Sequence, residues 1–119
     1  MGSEQLATGK KYCSRDDLRQ VFANSYDAIF VIDGKGNVIL CNPATGKLLD
    51  VNPQELVGRN VMNLVKEGIY SPSIAWQVIE KREVVTGLLR NRHGDKVLCT
   101  GTPIFDANGE VSMVIINSR

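Results

Sequence analysis

Glycine-containing segments beside lysines are the first candidates for chemistry in this sequence. Residues 32–48 read IDGKGNVILCNPATGKL, and a second ATGK ends at Lys10. A phosphate-binding loop needs GxxxxGK[ST], so that backbone N–H groups surround the phosphates and a hydroxyl reaches the metal ion. Cys41 stands at the first glycine position of the longer segment and Leu48 at its hydroxyl position, and Glu4 replaces the first glycine of the other. The sequence therefore does not predict a nucleotide site.

Residue types that serve catalysis or metal binding are sparse. His93 is the single histidine, and it lies in the turn NRHGDK, where no packed frame would hold it beside a nucleophile. Cys13, Cys41 and Cys99 are far apart and lack the CxxC spacing of metal and redox sites. We therefore expect no catalytic residue and no metal site, and a small enzyme is only a remote alternative.

The composition is that of one ordinary globular domain. The chain has 119 residues, of which 43% are hydrophobic, and its net charge of +1 provides no attraction for nucleic acid or an anionic membrane. No apolar run reaches the roughly 20 residues of a membrane span. The scattered cysteines fit a reducing cytoplasm. We expect residues 1–13 to form a mobile tail and residues 14–119 to form a single cytoplasmic domain.

The residue pattern predicts the order of helices and strands. SRDDLRQVFANSY is an amphipathic helix that begins at Ser14, with its apolar residues on one face. AIFVID and NVILCN form a hairpin around DGKGN, and Asn42-Pro43 and Asn52-Pro53 each start a short helix. A longer helix, SPSIAWQVIEKRE, precedes the strands VVTGLLRN, KVLCTGTPIF and VSMVIINS. Five antiparallel strands with helices between the second and third predict an α+β domain whose helices cover one sheet face.

Several short features recur in a fixed order along the chain. Asp33 and Gly34 close the first strand, Asn42 follows the second, ELVGRN occupies 55–60, and PIFDANGE forms a late hairpin. Together, over residues 15–119, they resemble the PAS domain family. The segment GTPIFDANGEVSMVIINSR is also similar to the PAS modules that precede the ATPase domain of bacterial sigma-54-dependent transcriptional activators. The resemblance implies a five-stranded antiparallel sheet in the order 2-1-5-4-3, whose concave face and middle helices enclose a pocket.

Strand alternation, together with this resemblance, predicts which side chains face the pocket. In the first strand the drier set, Ala28, Phe30 and Ile32, points inward. Comparison with the flavin-binding light sensors of the family implies the inward positions of the other strands, Thr86 and Val114 among them. The pocket candidates are Phe30, Ile32, Met62, Tyr70, Val78, Leu88, Arg90, Val97, Cys99, Ile116 and Ser118.

Arg90 is the one cation in this set. An arginine aimed into a mostly apolar pocket would favour a carboxylate or phosphate ligand, bound through two parallel hydrogen bonds. The alternative is that Arg90, next to a turn, extends its guanidinium into water. An anionic ligand is therefore one hypothesis for this pocket.

Two departures from cofactor-binding relatives argue against the cofactors of the family. Light-sensing members carry a reactive cysteine in GRNCRFLQ, whereas this chain reads GRNVMNLV, with Val61 and Val65 at the cysteine and glutamine positions. Haem-binding members supply a histidine from the longer helix, and SIAWQVIEKRE has none. No cofactor is evident, flavin and haem are not expected, and an unknown small molecule stays open as the ligand.

The resemblance implies a sensory or regulatory module of a bacterial signal-transduction or transcription-regulatory protein. It would bind an unidentified small molecule and pass a conformational signal to an effector domain, which is an ATPase activator, a kinase or a cyclase. The alternative is a ligand-free platform for dimerisation and protein interaction, which a pocket smaller than a few water molecules would favour. Under both hypotheses we expect a homodimer without direct nucleic-acid or membrane binding. The interface candidates are Leu18, Val21, Phe22, Ile29, Val31, Met113 and Ile115.

Overall fold

The computed structural model describes residues 13–118, so the expected mobile tail over residues 1–13 lies, apart from Cys13, outside the described part. Helix α1 (Arg15–Asn24) begins with a capping box. The Ser14 hydroxyl accepts a hydrogen bond from the Asp17 N–H, and the Asp17 carboxylate accepts one from the Ser14 N–H, both at 3.0 Å. Because these bonds favour the ionised carboxylate, the pKa of Asp17 lies below its usual value.

The strands of the described chain form one antiparallel sheet. They are β1 (Ala28–Asp33), β2 (Val38–Cys41), β3 (Tyr70–Ser71), β4 (Val85–Asn91), β5 (Lys96–Phe105) and β6 (Val111–Ser118). Their spatial order is β2-β1-β6-β5-β4-β3, which confirms the predicted order of the five expected strands. The addition is β3, whose two residues pair with the end of β4, Tyr70 opposite Asn91 and Ser71 opposite Arg90.

The helices between β2 and β4 are α2 (Pro43–Leu49), a 3-10 turn (Pro53–Glu55), α3 (Val61–Lys66) and α4 (Ile74–Lys81). Asn42 and Asn52 cap the first two of these elements, each followed by a proline, as the sequence predicts. The longer helix begins later than the predicted serine and proline at positions 71 and 72, because Ser71 pairs in the sheet. The Ser73 hydroxyl caps α4 instead, accepting from the Trp76 N–H at 3.0 Å.

The core lies between the inner face of the sheet and α2, α3 and α4. Its most deeply buried side chains are Ile32, Val38, Leu56, Val61, Leu64, Val78, Cys99 and Val114. Helix α4 approaches the sheet closely at Gly101 of β5, where an added Cβ would lie 2.7 Å from Val78 Cγ2 and 2.9 Å from Ile116 Cδ1. The helices therefore cover the inner face, and the outer face of the sheet is turned to solvent.

Candidate functional site: an internal cavity and an apolar sheet face

A small internal cavity lies between the inner face of the sheet and the helices. Its volume is about 30 Å³, and by this kind of measure a cavity needs about 10–15 Å³ to hold one water molecule. Helix α2 and strands β1, β3, β4 and β6 form the wall together with the start of α4. The lining residues are Phe30, Thr45, Leu48, Leu49, Tyr70, Ile74, Ala75, Leu89, Ile116 and Ser118.

Tyr70, one of the lining residues, has a buried hydroxyl. Its side chain is only 4% exposed, and its ring meets Phe30 edge-on with the centroids 6.4 Å apart. Among the buried side-chain nitrogen and oxygen atoms of residues 13–118, the Tyr70 hydroxyl is the one without a hydrogen-bond partner. Burial raises the pKa of the phenol well above its usual value, and the nearby Ser73 hydroxyl opposes this rise without completing a bond of hydrogen-bond geometry. Tyr70 is therefore a neutral donor.

The other polar groups of the wall already have partners. Ser118 Oγ lies 3.0 Å from Cys99 Sγ, and Thr45 Oγ1 donates to the Ile29 carbonyl at 3.0 Å. Burial raises the pKa of the Cys99 thiol and raises that of Cys41 to about 11, so neither cysteine is ionised near neutral pH. Chemistry at a thiolate is therefore not expected at these two cysteines.

Asn42 fixes the position of α2, which carries three of the lining residues. Its amide is fully buried, and its Oδ1 accepts from the N–H groups of Ile29 at 2.9 Å and Thr45 at 3.1 Å. Its Nδ2 donates to the carbonyls of Phe22 at 3.2 Å and Asp27 at 3.0 Å. One side chain thus joins the last turn of α1, the start of β1 and the start of α2.

The far end of α2 is held by the turn between β4 and β5. Asn91 Nδ2 donates to the Leu48 carbonyl at 3.0 Å, and His93 Nε2 lies 2.9 Å from Asp50 Oδ2. Both side chains of the His93–Asp50 pair are more than half exposed, at 55% and 68%. The pair therefore fastens α2 to the turn at the surface, and it lacks the enclosed frame that a catalytic dyad requires.

Most of the predicted pocket residues lie in the core. Phe30, Tyr70, Ile116 and Ser118 line the cavity, whereas Ile32, Val78, Val97 and Cys99 are buried nearby without lining it. Met62 is 43% exposed, so its predicted place in the pocket is wrong. The reason is helical phase: Val61 and Leu64, three residues apart, form the buried side of α3, and Met62 lies off that side.

The predicted orientation of β4 is also wrong. Leu88 is 55% exposed and Arg90 is exposed, whereas Leu89 is buried and lines the cavity. Leu88 pairs with Leu98, and Thr86 pairs with Thr100, on the outer face of the sheet. Since a shift of one residue moves every side chain of a strand to the other face, the whole predicted set of this strand changes side.

The orientation of Arg90 excludes it from the cavity. Its Nη1 donates to the Gly94 carbonyl of its own turn at 3.1 Å. None of the side chains that line the cavity in residues 13–118 carries a fixed charge. The hypothesis of an anion held in the pocket by this arginine is therefore not supported by the structure.

Of the six lining residues that sequence reasoning missed, three come from α2, two (Ile74 and Ala75) from α4 and one (Leu89) from β4. Thr45, Leu48 and Leu49 are spaced as i, i+3 and i+4, which is the spacing of one helical face. That pattern was available in PATGKLL, and it would have assigned these residues to the cavity wall. Leu89 had no such signal, because β4 has apolar residues on both of its faces.

The side of the sheet that faces away from the helices carries a broad apolar surface, which we call the outer face. Leu40, Leu88 and Leu98 are exposed there, and Ile29, Ile104, Met113 and Ile115 are half-buried. Among the predicted interface residues of this face, Val31 is only 6% exposed, so its own sheet neighbours already cover it. The remaining candidates are accessible to a partner.

Helix α1 carries a second apolar surface. Leu18 and Val21 are 49% and 68% exposed, and Phe22 is half-buried. None of the residues of α1 is buried by the part of the chain that the structure describes. The helix therefore presents its apolar stripe without a cover from residues 13–118.

Two general features of the described residues bear on other kinds of site. Within residues 13–118, helices are too short or too polar to cross a membrane. The same part of the chain contains no group of three or more histidine, cysteine, aspartate or glutamate side chains that could hold a metal ion.

Solved structures with this architecture come from sensory and regulatory proteins. An RNA-binding light-oxygen-voltage receptor is 21% identical, with a TM-score of 0.72, and the match covers 99% of this chain and 36% of the receptor. The PAS domain of nitrogen regulation protein NR(II) from Vibrio parahaemolyticus is 18% identical, with a TM-score of 0.60, over 84% of this chain and 94% of that domain. The VqmA dimer of Vibrio cholerae is 17% identical, with a TM-score of 0.62, over 87% of this chain and 51% of that protein.

Sequence comparison points to the same fold. A search of the curated proteins found no match to this sequence. The family description of the PAS fold, by contrast, matches residues 16–119, which is nearly the whole chain. The chain belongs to the PAS family.

Proposed function

We propose that this chain is a non-catalytic sensory or regulatory module of a bacterial signalling protein and that it acts as a homodimer in the cytoplasm. The two copies are joined through α1 and the outer face. A shift between two conformations of the dimer passes to an effector domain of the parent protein, which is an ATPase activator of the sigma-54-dependent kind, a kinase or a cyclase.

The uncovered apolar surfaces carry this proposal. Helix α1 precedes β1 and is joined to it by residues 25–27, and both its apolar stripe and the outer face are left uncovered by the described residues. Full burial of one valine or leucine side chain contributes about 1.5–3 kcal/mol. Val21, Leu88 and Leu98 together therefore provide a driving force for association. A twofold pairing would bring the same surface of each copy together.

Two solved relatives support the proposal by analogy. VqmA of Vibrio cholerae is described as a dimer among LuxR-type receptors, and NR(II) of Vibrio parahaemolyticus is a nitrogen regulation protein whose PAS domain has this fold. By these descriptions NR(II) is a regulation protein, and VqmA is a dimer that has a target DNA. By analogy we extend a regulatory role and dimerisation to this chain. The effector domain is not part of this analogy.

Sedimentation velocity tests the dimer with a matched pair of variants. At tens of micromolar the wild-type chain should sediment as a dimer, whereas Val21→Glu should shift it to monomer because a charge would lie in the apolar interface. Ala23→Glu adds the same charge to an exposed position on the other side of α1 and should leave the dimer intact. A wild-type chain that sediments as a monomer at this concentration would contradict the proposal.

Small-molecule binding in the internal cavity is a second candidate function. The buried Tyr70 hydroxyl without a partner favours it, whereas the cavity volume of about 30 Å³ favours a ligand-free dimer platform. Native mass spectrometry of protein purified from cells separates the two candidates. A retained small molecule supports sensing, and a bare polypeptide mass in every preparation supports the platform.

A further inference from the structure

One end of the outer face carries a row of three polar side chains on neighbouring strands. Ser71 of β3 lies opposite Arg90 of β4, and Arg90 lies opposite Lys96 of β5. All three residues are exposed. Residues directly opposite each other on neighbouring strands have their Cβ atoms about 4.5–5.5 Å apart. The two cations and the hydroxyl are therefore close enough to meet on one bound group.

The two cations of this row have no counter-charge in the part of the chain that the structure describes. Neither Arg90 nor Lys96 belongs to an ion pair within residues 13–118. The Asp95 carboxylate, which precedes Lys96 in the turn, accepts a hydrogen bond from Asn91 Nδ2 at 3.3 Å. Like charges directly opposite each other destabilise a sheet. An anion bound between them would replace this repulsion by attraction.

Arg90 is held in place, and most of its donors are unused. Its Nη1 donates to the Gly94 carbonyl at 3.1 Å, which fastens the guanidinium to the turn. A guanidinium has five N–H donors, and Arg90 makes no second side-chain bond to a described residue. Within residues 13–118 the Lys96 ammonium and the Ser71 hydroxyl have no hydrogen-bond partner either. The row therefore offers several donors together with two positive charges.

A depression in the surface adjoins the row. Its volume is about 410 Å³, and it is lined by Ser71, Pro72, Leu88, Arg90 and Lys96. This volume falls within the roughly 300–1,000 Å³ of sites that bind small molecules. Leu88 is exposed and adds an apolar side chain next to the two cations. The depression therefore fits a compact anionic group that is joined to an apolar moiety.

The charge of the row discriminates between kinds of anion. A phosphate monoester carries about −1.5 to −2 charges at neutral pH and has three strong acceptor oxygens. One such group can balance both cations and accept hydrogen bonds from Arg90, Lys96 and Ser71 together. A carboxylate or a sulfate ester has a single negative charge and would leave one of the two cations unbalanced.

We propose that this depression binds the phosphate group of a small organic phosphate monoester. Arg90 and Lys96 balance its charge, Ser71 donates a further hydrogen bond, and Leu88 contacts the organic part. Because β3 is an edge strand of the sheet, the site lies at the border of the outer face. The inference goes beyond the function proposed above, since it requires neither the homodimer nor a ligand in the internal cavity.

Amide NMR titrations with phenyl phosphate and phenyl sulfate test this proposal. The two probes have nearly the same shape, but at about pH 8 the phosphate carries close to two negative charges and the sulfate carries one. Ionic strength is held constant and low, because salt screens exposed charges. In the wild-type chain phenyl phosphate should shift the resonances of Ser71, Leu88 and Lys96 in a saturable way. It should bind about fivefold more tightly than phenyl sulfate.

Matched charge variants separate the row from a general attraction to basic side chains. Arg90→Gln and Lys96→Gln should each weaken phenyl phosphate binding about fivefold and reduce its preference over phenyl sulfate. Lys66→Gln removes the same charge from an exposed position of α3, on the helix side of the sheet, and should bind as wild type does. Without anion, Lys96→Gln should melt at or above the wild-type temperature, because it removes a like-charge pair. Its weaker binding then reflects recognition and not unfolding.

The contribution of the organic part is measured with two further phosphates. Inorganic phosphate and the tripeptide glycyl-phosphoseryl-glycine lack an apolar group, so both should bind more weakly than phenyl phosphate. Tighter binding of the tripeptide would assign the site to a phosphorylated protein and overturn the small-molecule class.

Two other results would overturn the proposal. One is that phenyl phosphate and phenyl sulfate bind equally, or that Lys66→Gln loses as much affinity as Lys96→Gln, since either outcome means unspecific charge attraction. The other is that phenyl phosphate produces no saturable shift at the row. Sedimentation of the same samples reports on the homodimer independently: a monomer that binds phenyl phosphate refutes the homodimer alone, and a dimer that does not bind it refutes this inference alone.

Discussion

Asn42 is a single residue whose side chain is shared by three elements. Its amide bonds to Phe22 in α1, to Ile29 in β1 and to Thr45 in α2, and it is fully buried. Removal of this side chain would leave several backbone groups without partners inside the protein, each at a cost of about 1–3 kcal/mol. Asn42 is therefore a physical link between the helix proposed for dimerisation and the α2 wall of the cavity.

Asn42→Ala should lower the free energy of unfolding by about 2–4 kcal/mol, because the costs of neighbouring unpaired groups are only partly additive. Urea unfolding followed by circular dichroism measures this loss. Asn108→Ala, at an exposed position of the turn between β5 and β6, should change stability by less than about 0.5 kcal/mol. Equal losses for the two variants would show that the buried amide has no special role.

Because the Tyr70 phenol is buried, the stability of the fold should decrease at alkaline pH. Burial raises the pKa of its phenol in the folded state, so the folded state holds the proton more tightly than the unfolded state does. The resulting stabilisation is fully present below the usual phenol pKa of about 10. It is lost as pH rises from there toward the folded-state pKa, at up to about 1.4 kcal/mol per pH unit.

Urea unfolding between about pH 9 and about pH 11 should therefore show wild type losing more stability than Tyr70→Phe. The difference between the two proteins isolates Tyr70, because no other residue differs between them. Below about pH 9 the difference should be constant with pH. Parallel curves across the whole range would mean that Tyr70 ionises as easily in the folded chain as in the unfolded one.

At the scale of elements, the sequence predicts the inward face of a strand when polar residues mark its other face. It does not do so when both faces are apolar. In β1, Asp33 marks the outward face, and Ala28, Phe30 and Ile32 are indeed buried on the inner face. In β4 the outer face is itself apolar, since Leu88 and Leu98 are exposed together. When both faces of a strand are apolar, alternation does not show which residues point inward. The prediction for β4 therefore relied on the family resemblance, and it placed the outward residues on the inner face.

Some properties of the cavity can be predicted from the sequence, and others depend on packing that the sequence pattern does not show. The helical spacing of Thr45, Leu48 and Leu49 was sufficient to find the α2 wall. The volume of about 30 Å³ and the missing partner of the Tyr70 hydroxyl depend on packing between elements far apart in the chain. Neither property follows from local pattern, because shifts smaller than an ångström decide both.

At the scale of the whole molecule, the inner and outer sides of the sheet have opposite characters. The inner side is tightly packed, with a cavity of only about 30 Å³. The outer face and α1 leave Leu98 and Val21 more than half exposed. A chain with this distribution gains more from association with a second copy than from further consolidation of its core.

Stability should therefore depend on protein concentration. When a homodimer forms only from the folded state, each tenfold rise in concentration above the dissociation constant adds about 1.4 kcal/mol per dimer, or about 0.7 kcal/mol per chain, which raises the melting temperature by a few degrees. Melting of the wild-type chain should rise steadily between about 5 μM and about 500 μM, and Ala23→Glu should follow it. Val21→Glu should melt at one temperature throughout, because its interface carries an unpaired charge. A flat wild-type series would mean that the apolar outer side is covered by a different partner, and the homodimer would then be abandoned.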